Sequence, residues 1–395
     1  MKKLFLSVIG MYLTLVAAFS QSHPVSDSSY KPRKLSFEEM NIVSSYYTQD
    51  GNNAAVTGGI GSEHLTDLAF VLDVKFIKYD RKDRKHTLTG EAGIDHYTSA
   101  SSDKVDPSTI SSASAADNRI YPSLQWSAEN ETKGRSTGAG LSFSTEYDYV
   151  SFGANASFSK KTANRNGEFT GRAQVYLDNV SLIYPIELRS SMPAGSGSAK
   201  RNSYSGTLQW SQIINRQLQL QFVGEVVYQD GYLGLPFHRV YFQDNSVHVE
   251  ALPDRRIKIP LGIRASYFMG DKLIIRGWYR NYHDDWGIAS NAIQLETSWK
   301  LTSFFSITPF YRFYQQSAAD YFAPYQVHSI ADIHYTSNYD LSKFTSNFFG
   351  AGIRMAPPSG VFHFIHFPSL ELRYGHYGKT TGMNANILSL HMTFK

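Results

Sequence analysis

The chain has 395 residues, of which 14% are aromatic and 18% charged, with a formal net charge of +4 and no cysteine. Its mean hydropathy of −0.32 is too low for a helical membrane protein. Beyond the N-terminus, no apolar run approaches the roughly 20 residues that a spanning helix needs. The basic residues are scattered along the chain, which argues against a nucleic-acid-binding surface, and without cysteine neither disulfides nor a lipoprotein anchor is expected.

The N-terminus has the pattern of a secretory signal peptide. Lys2 and Lys3 precede an apolar stretch over 4–16, and Ala18-Phe19-Ser20 supplies small residues at a cleavage site. We therefore expect residues 1–20 to be a signal peptide and residues 21–37 to be a polar periplasmic tail. Residues 38–395 are then the folded domain, an outer-membrane β-barrel.

Alternation with a period of two organises the stretch from Arg256 to Gln316. Its first run sets Ile257, Ile259, Leu261 and Ile263 against charged and polar residues. A period of two predicts strands whose successive side chains point to opposite faces. The second face carries arginine, lysine and glutamate in mid-strand, and the pattern repeats in strands of ten or more residues. A closed barrel with lipid outside and a wet lumen inside has this pattern.

The same periodicity predicts sixteen strands along the chain. They lie near 38–49, 64–79, 84–97, 118–129, 135–147, 149–160, 166–179, 202–214, 217–230, 255–268, 272–283, 288–300, 303–316, 345–356, 367–378 and 384–394. The predicted fold class is all-β, a transmembrane antiparallel β-barrel of about sixteen strands. Fourteen strands is the alternative if the hairpin over 135–160 is misassigned.

The connections alternate between tight polar turns and longer segments, as expected for short periplasmic turns and long outer loops. The outer loop over 48–65 is rich in glycine, which permits positive φ and close approach of the backbone. This loop can therefore fold into the barrel mouth. The last strand ends in the aromatic residue Phe394 and resembles the signal that barrel-insertion machinery reads, although Lys395 follows it.

Placing the apolar face towards lipid sends two sets of charges into the lumen. The predicted basic wall consists of Arg256, Lys258, Arg264, Arg276, Arg280, Arg312, Arg354 and Arg373. The predicted acidic wall consists of Asp73, Glu91, Asp95, Glu146 and Asp178. Opposed walls make a transverse field that orients polar solutes and tunes ion selectivity. The alternative is a structural lattice in which the charges pair across the lumen.

Bulky residues are also predicted to face inward and to narrow the lumen: Trp278, Tyr282, Phe310, Tyr314 and Phe348. An open pore and a plugged barrel are therefore both compatible with the sequence.

The sequence offers few candidates for metal binding or catalysis. The segment 95–106 is rich in oxygen-bearing side chains and could hold a hard cation, although such loops are commonly solvated turns. We predict no metal site and no cofactor. An outer-membrane enzyme would need a Ser/His or Asp/His set on strand ends, and no such set is recognisable, so we predict no catalytic residues and no enzymatic activity.

Four motifs carry a resemblance to a known family. They are Tyr46-Tyr47-Thr48-Gln49-Asp50-Gly51, Val56-Thr57-Gly58-Gly59-Ile60-Gly61, Thr98-Ser99-Ala100-Ser101-Ser102-Asp103 and Arg119-Ile120-Tyr121-Pro122-Ser123. With these motifs the chain resembles an outer-membrane β-barrel family of Bacteroidota, catalogued as domain of unknown function 3570. The resemblance implies an integral outer-membrane protein without established catalytic residues. It also implies periplasmic partners, because members are encoded beside a flavin-attaching transferase, a small lipoprotein and thioredoxin-like proteins.

The sequence thus predicts an integral outer-membrane β-barrel. Its predicted function is that of a channel, or of a transport or scaffold component for a polar solute or a periplasmic redox partner. The alternative is a plugged barrel that acts as a structural anchor or interaction hub, and the third reading is an outer-membrane enzyme. Its expected partners are the lipid bilayer, the barrel-assembly machinery during biogenesis, and a small lipoprotein or thioredoxin-like or flavinylated periplasmic proteins. No nucleic acid is expected.

Overall fold

The structure, a computed structural model, describes residues 31–98, 116–191 and 197–395. The predicted signal peptide, most of the predicted tail and most of the 95–106 loop lie outside these residues. No helix of the described chain is long and apolar enough to cross a membrane.

Sixteen long strands form a closed antiparallel barrel. In chain order the strands are β1 (Ser36–Asp50), β2 (Leu65–Tyr79), β3 (Lys85–Thr98), β4 (Ala116–Asn130), β5 (Arg135–Thr145), β6 (Tyr149–Lys161), β7 (Gly167–Ser181), β8 (Ser198–Ile213), β9 (Leu218–Gly231), β10 (Arg239–Tyr241), β11 (Val247–Val249), β12 (Arg255–Met269), β13 (Leu273–Asp284), β14 (Ala289–Lys300), β15 (Phe305–Gln316), β16 (Phe344–Met355), β17 (Ser369–Lys379) and β18 (Asn384–Phe394). The short strands β10 and β11 pair only with each other, in a loop.

Each barrel strand pairs with its neighbours in sequence, with β9 next to β12 across the β10–β11 loop. The first and last strands close the ring, in a register that runs from Met40 opposite Phe394 to Asp50 opposite Asn384. The prediction of sixteen strands is confirmed. The hairpin β5–β6 is continuous from Arg135 opposite Lys160 to Thr145 opposite Val150, which excludes the fourteen-strand alternative.

The outward face of the barrel is apolar and exposed. Outward side chains that a soluble protein would bury are half open to their surroundings, including Leu208 at 60%, Ile293 at 57% and Leu261 at 51%. Aromatic side chains on the outer surface are also exposed: Trp126, Tyr147, Trp210, Tyr267, Tyr279, Trp299 and Tyr311. An apolar band of this extent around a closed barrel is stable only against lipid. The protein is therefore an outer-membrane β-barrel embedded in the bilayer.

Connections of very different length lie at the two ends of the barrel. Tight turns such as 131–134, 214–217 and 270–272 lie at the end that carries both chain termini. The segments 51–64, 232–254 and 317–343 lie at the other end, which we assign as the outer end because long loops are extracellular in such barrels. We call these three segments together the outer cap.

The outer cap is packed, with buried polar contacts between its segments. Isolated bridges join Phe242 to His328 and Ala251 to Tyr335. The carboxylate of Glu250 is buried, and it accepts hydrogen bonds from the Thr336 hydroxyl at 2.5 Å and from the Leu235 backbone N–H at 2.7 Å. Burial alone would raise the pKa of Glu250, but these bonds and the adjacent His238 imidazole hold that pKa below its ordinary value.

The glycine-rich segment 51–64 is sandwiched inside this cap. Gly58 and Gly59 have φ of 81° and 83°, and a Cβ on Gly59 would lie 2.6 Å from the carbonyl oxygen of Ser337. Both positions need glycine because the backbone is left-handed and the neighbouring loop lies against it. Val56 and Thr57 are 5% exposed. The loop thus packs against the other segments of the cap, and its folding into the barrel mouth stays a prediction.

Arg239 joins the cap to the connection between β7 and β8. Its guanidinium, 2% exposed, donates from Nε and Nη2 to the two carboxylate oxygens of Glu187, at 2.5 and 3.0 Å. Nη1 donates to the backbone oxygen of Val56 at 2.8 Å. Arg239, in the segment 232–254, therefore contacts both the segment 51–64 and the connection between β7 and β8.

We expect Arg239→Met to loosen the outer cap without unfolding the barrel. The substitution leaves a carboxylate and a backbone oxygen without their charged donor, a loss of about 1–3 kcal/mol because the Glu187 side chain is 37% exposed. Amide hydrogen exchange of 54–59 should accelerate, whereas exchange in the barrel strands should not change. Arg216→Met, in an exposed turn at the opposite end, is the matched control. Unchanged exchange at 54–59 in the Arg239 variant would contradict this role.

Candidate functional site

The eight residues of the predicted basic wall occupy inward positions on five strands. Three lie on β12, two on β13 and one each on β15, β16 and β17. On these strands the alternate residues, such as Ile263, Tyr279 and Leu372, are the exposed outward ones. Because successive side chains of a strand point to opposite faces, the charged residues point into the lumen.

The predicted acidic wall lies across the lumen. Asp73 is on β2, Glu91 and Asp95 are on β3, Glu146 directly follows β5, and Asp178 is on β7. In a ring of sixteen strands, diametrically opposite strands are eight places apart. In the observed order, β2 is eight places from β12 and β3 is eight places from β13. The same separation holds between β5 and β15 and between β7 and β17. The two sets of charges therefore face each other.

Tyrosine hydroxyls hold most of the acidic groups. The Tyr121 hydroxyl donates to Asp95 at 2.8 Å, and the hydroxyls of Tyr97 and Tyr149 donate to Glu146 and Asp178. Since a phenol neutralises no charge, these carboxylates keep their negative field while their hydrogen-bonding capacity is partly met.

Three basic residues are paired with carboxylates on their own side of the lumen. Arg256 donates from Nε to Asp284 at 2.9 Å. Glu296 accepts from Arg276 at 3.3 Å and from Arg373 at 2.8 Å, the latter from three strands away. Among the described residues no ion pair joins the predicted acidic wall to the predicted basic wall. The alternative of a lattice of ion pairs across the lumen is therefore not seen among the described residues. The ion pairs of these charges form within the acidic side or within the basic side.

The other five basic residues have no carboxylate within 4.0 Å among the described residues: Lys258, Arg264, Arg280, Arg312 and Arg354. Two of them lie over aromatic rings, Arg264 at 5.8 Å from the Trp278 ring and Arg312 at 5.1 Å from the Phe348 ring. A cation over a ring keeps its full charge. This side of the lumen therefore carries excess positive charge.

Several of the inward aromatic rings lie on glycine. A Cβ on Gly375 would meet the Phe348 ring at 2.6 Å, and one on Gly350 would meet the Phe310 ring at 2.9 Å. Tyr121 covers Gly93 in the same way on the acidic side. Rings that occupy the space of a missing side chain lie along the wall, and the sequence analysis did not take these glycine neighbours into account; how far Phe310 and Phe348 narrow the lumen stays a prediction.

Two cavities open inside the barrel. The first, about 610 Å³, lies at the outer end and is lined by barrel residues including Arg280, Arg312 and Tyr377, with Asp340 and Leu341 of the outer cap above them. We call it the outer vestibule. The second, about 750 Å³, lies at the end with the termini and is lined by Asp73, Glu91 and Arg354 together with Lys395.

Three charged groups near the outer vestibule were not among the predicted site residues. Lys379, at the end of β17, pairs with Asp340. Glu63, in the outer cap, is half-buried close to both. Burial, and secondarily the Asp340 carboxylate, raise the pKa of Glu63 to about 7 against the opposing effect of Lys379. Lys379 continues the alternation of Glu371 and Arg373, whereas the two loop carboxylates follow no periodic signal.

A second carboxylate cluster lies at the outer end of the acidic side. Asp117, Glu146 and Asp148 bring oxygen atoms within 4.8 Å of one another. Arg119 is 3.6 Å from Glu146, and backbone N–H groups of Asn118 and Tyr147 donate to Asp117. The burial of Asp148 and its acidic neighbours raise its pKa to about 6. Asp117 thus already accepts hydrogen bonds from backbone N–H groups, and Glu146 already has a nearby guanidinium group.

Solved structures resemble the chain only at low identity. One described as a bacterial polysaccharide outer membrane secretin has a TM-score of 0.46 at 12% identity, covering 90% of this chain and 97% of its own. A BenF-like porin from Pseudomonas fluorescens Pf-5 has a TM-score of 0.45 at 8% identity, covering 92% and 100%. Pseudomonas aeruginosa OpdK with vanillate has a TM-score of 0.41 at 6% identity, covering 90% and 97%. None of these similarities bears on what the lumen binds.

No curated protein matches the chain. The profile of a protein family does match, over residues 81–361, which is well over half of the sequence. That family is described as "Protein of unknown function (DUF3570)". The resemblance found in the four sequence motifs is thereby confirmed at the level of the family, and the chain belongs to the DUF3570 family of proteins of unknown function.

Proposed function

We propose that this protein is an outer-membrane channel for small polar solutes, with a preference for anions. The observation that carries the proposal is the lumen surface. Its aromatic rings lie on glycine, its paired charges are neutralised within each side, and five basic groups without a carboxylate partner face the interior. A water-filled passage with this lining admits hydrophilic solutes and concentrates anions along its basic side.

The opposed charges add an orienting effect to this preference. Tyrosine-bound carboxylates face unpaired guanidinium groups across the lumen, which produces a field perpendicular to the barrel axis. A solute with separated positive and negative ends passes most easily when it is aligned with that field.

The second candidate is a plugged barrel that anchors or binds partners. The packed outer cap favours it, because buried contacts such as those of Arg239 and Glu250 fix three loops over the mouth. The proposed role beside a lipoprotein, thioredoxin-like or flavinylated partner stays a prediction from the family resemblance. Insertion by the barrel-assembly machinery stays a prediction from the last strand. The absence of enzymatic activity is likewise a prediction.

Planar-bilayer recording of the purified protein separates channel from plug. We expect a steady current with anion preference. Each unpaired arginine that is neutralised should reduce that preference about twofold, because a unit charge about 10 Å away in water contributes about 0.4 kcal/mol. Arg264→Gln and Arg312→Gln should show this reduction in reversal-potential measurements. Lys272→Gln, in an exposed turn outside the lumen, should not. A silent bilayer would favour the plugged barrel.

Gly375→Ala should reduce single-channel conductance. The new methyl group would displace the Phe348 ring towards the lumen, at a stability cost of about 1–3 kcal/mol. Combining it with Phe348→Ala should restore the conductance. Gly277→Ala, on the lipid-facing side with no atom within 4 Å of the added carbon, is the control. Equal conductance of the Gly375 and Gly277 variants would show that the ring placement does not set the lumen width.

Anion preference should rise as the pH falls through about 7. The pKa of Glu63 is raised to about 7, so this carboxyl becomes neutral below that pH and the positive charge near the vestibule is less opposed. Its raised pKa also means that Glu63 opposes folding of the cap progressively from about pH 4.5 to 7, with no further change above 7. Glu63→Gln should remove the pH dependence of selectivity between pH 7 and 8, a range in which Asp148 is already ionised. Persistence of that dependence in the variant would assign it to another group.

A further inference from the structure

The outer vestibule has the size and composition of a binding site for a small organic molecule. Its volume of about 610 Å³ lies within the range of small-molecule pockets. One side is the inner wall of β12 to β17, and the other is the turn Tyr339–Leu341 of the outer cap. Ile288, Leu341 and Met383 add apolar surface between the charged groups. A lining that mixes cations and apolar groups is unlike that of a site for a bare inorganic ion.

Two of the four basic side chains in the vestibule are already neutralised. Arg256 is paired with Asp284, whose side chain is 0% exposed, and Lys379 is paired with Asp340. Arg280 and Arg312 have no carboxylate partner in the part of the chain that the structure describes. The vestibule therefore offers two guanidinium groups without a carboxylate partner, one of which, Arg312, lies over the Phe348 ring.

The register of the strands places these two arginines on either side of β14. Arg280 on β13 is opposite Ala292, and Arg312 on β15 is opposite Gln294. Ala292 is small and 5% exposed, and the neighbouring inward position is Ser290. Ser290 and Ala292 both line the vestibule together with the two arginines, and Gln294 lies directly opposite Arg312. The planar guanidinium fork matches a carboxylate by two parallel hydrogen bonds.

Aromatic side chains of β15, β16 and β17 also line the vestibule. Tyr314 and Phe344 have ring centroids 5.6 Å apart, and Tyr377 meets Phe348 at 6.3 Å in an edge-on arrangement. The hydroxyl of Tyr314 is already bound to Gln316 at 2.6 Å, so its ring face is what remains to contact a ligand. Aromatic faces favour the edge or face of another planar ring.

We propose that the outer vestibule binds small planar organic carboxylates, with the carboxylate held by Arg280 and Arg312 and an unsaturated ring packed among Tyr314, Phe344 and Tyr377. This inference rests on the proposed channel, whose solute class it specifies. Binding itself does not require conduction, so the two can fail separately.

Isothermal titration calorimetry of the full-length mature protein in detergent micelles tests the site without a membrane. The probes are benzoate, cyclohexanecarboxylate, acetate and inorganic phosphate. We expect saturable binding of benzoate, at least tenfold tighter than that of acetate or phosphate and tighter than that of the non-planar cyclohexanecarboxylate. Arg280→Gln and Arg312→Gln should each weaken benzoate binding at least tenfold. Arg172→Gln, an exposed arginine on the inner face of β7, should leave it unchanged.

A second variant separates the ring contact from the charge contact. Tyr377→Leu should reduce the preference for benzoate over acetate while leaving acetate binding unchanged. Heat-modifiable migration on a gel shows that each variant retains a folded barrel. Phosphate binding as tight as benzoate binding, or loss of binding in the Arg172 variant alone, would overturn the proposal. Benzoate binding without bilayer current would retain the site and reject the channel, whereas current without saturable binding would do the reverse.

Discussion

Closure of the ring between β1 and β18 is the constraint on which the rest of the molecule depends. In a bilayer, an unpaired backbone N–H or C=O costs several kcal/mol, so a sheet with free edges cannot span it. The eleven-residue register from Met40 to Asp50 against Phe394 to Asn384 removes both edges. Once the ring is closed, every strand must present one face to lipid and the other to the lumen. The alternation of apolar and charged residues follows from that requirement and not from local strand preference.

The same closure explains how the lumen tolerates bulky and charged residues. Inward positions on adjacent strands lie about 5 Å apart, so a large side chain needs a small neighbour. Phe348 lies on Gly375 and Tyr121 lies on Gly93, so each ring occupies the space of a missing side chain. Charges are paired along the same wall. Glu296 on β14 pairs with Arg276 on β13 and with Arg373 on β17, because the barrel wall is concave between these strands. Polar groups and rings are thus satisfied along the wall, not across the lumen.

The periodic signal explains what the sequence could and could not predict. Each of the sixteen strands was predicted because alternation over ten or more residues is unlike any other element, and the largest error at a strand start was at β8, which begins at Ser198 instead of near 202. Alternation also assigns Arg276 and Arg280 to the lumen as equivalents. They differ in whether a carboxylate neutralises them, because Glu296 on the neighbouring strand pairs with Arg276 and not with Arg280. The short strands β10 and β11, and the burial of Arg239 between loops, depend on contacts between distant segments that carry no repeat.

The outer cap and the charged lumen meet at one short segment. Residues Tyr339–Leu341 form the roof of the outer vestibule, and Asp340 within them pairs with Lys379 of the barrel wall and raises the pKa of Glu63. Gly59 in turn lies against Ser337 and Tyr339, just before and within that roof. A movement of the cap would therefore change both the width of the mouth and the charge that a solute meets on arrival. Because one segment sets both properties, selectivity and access in this barrel are coupled, and a variant that loosens the cap should alter ion preference as well as conductance.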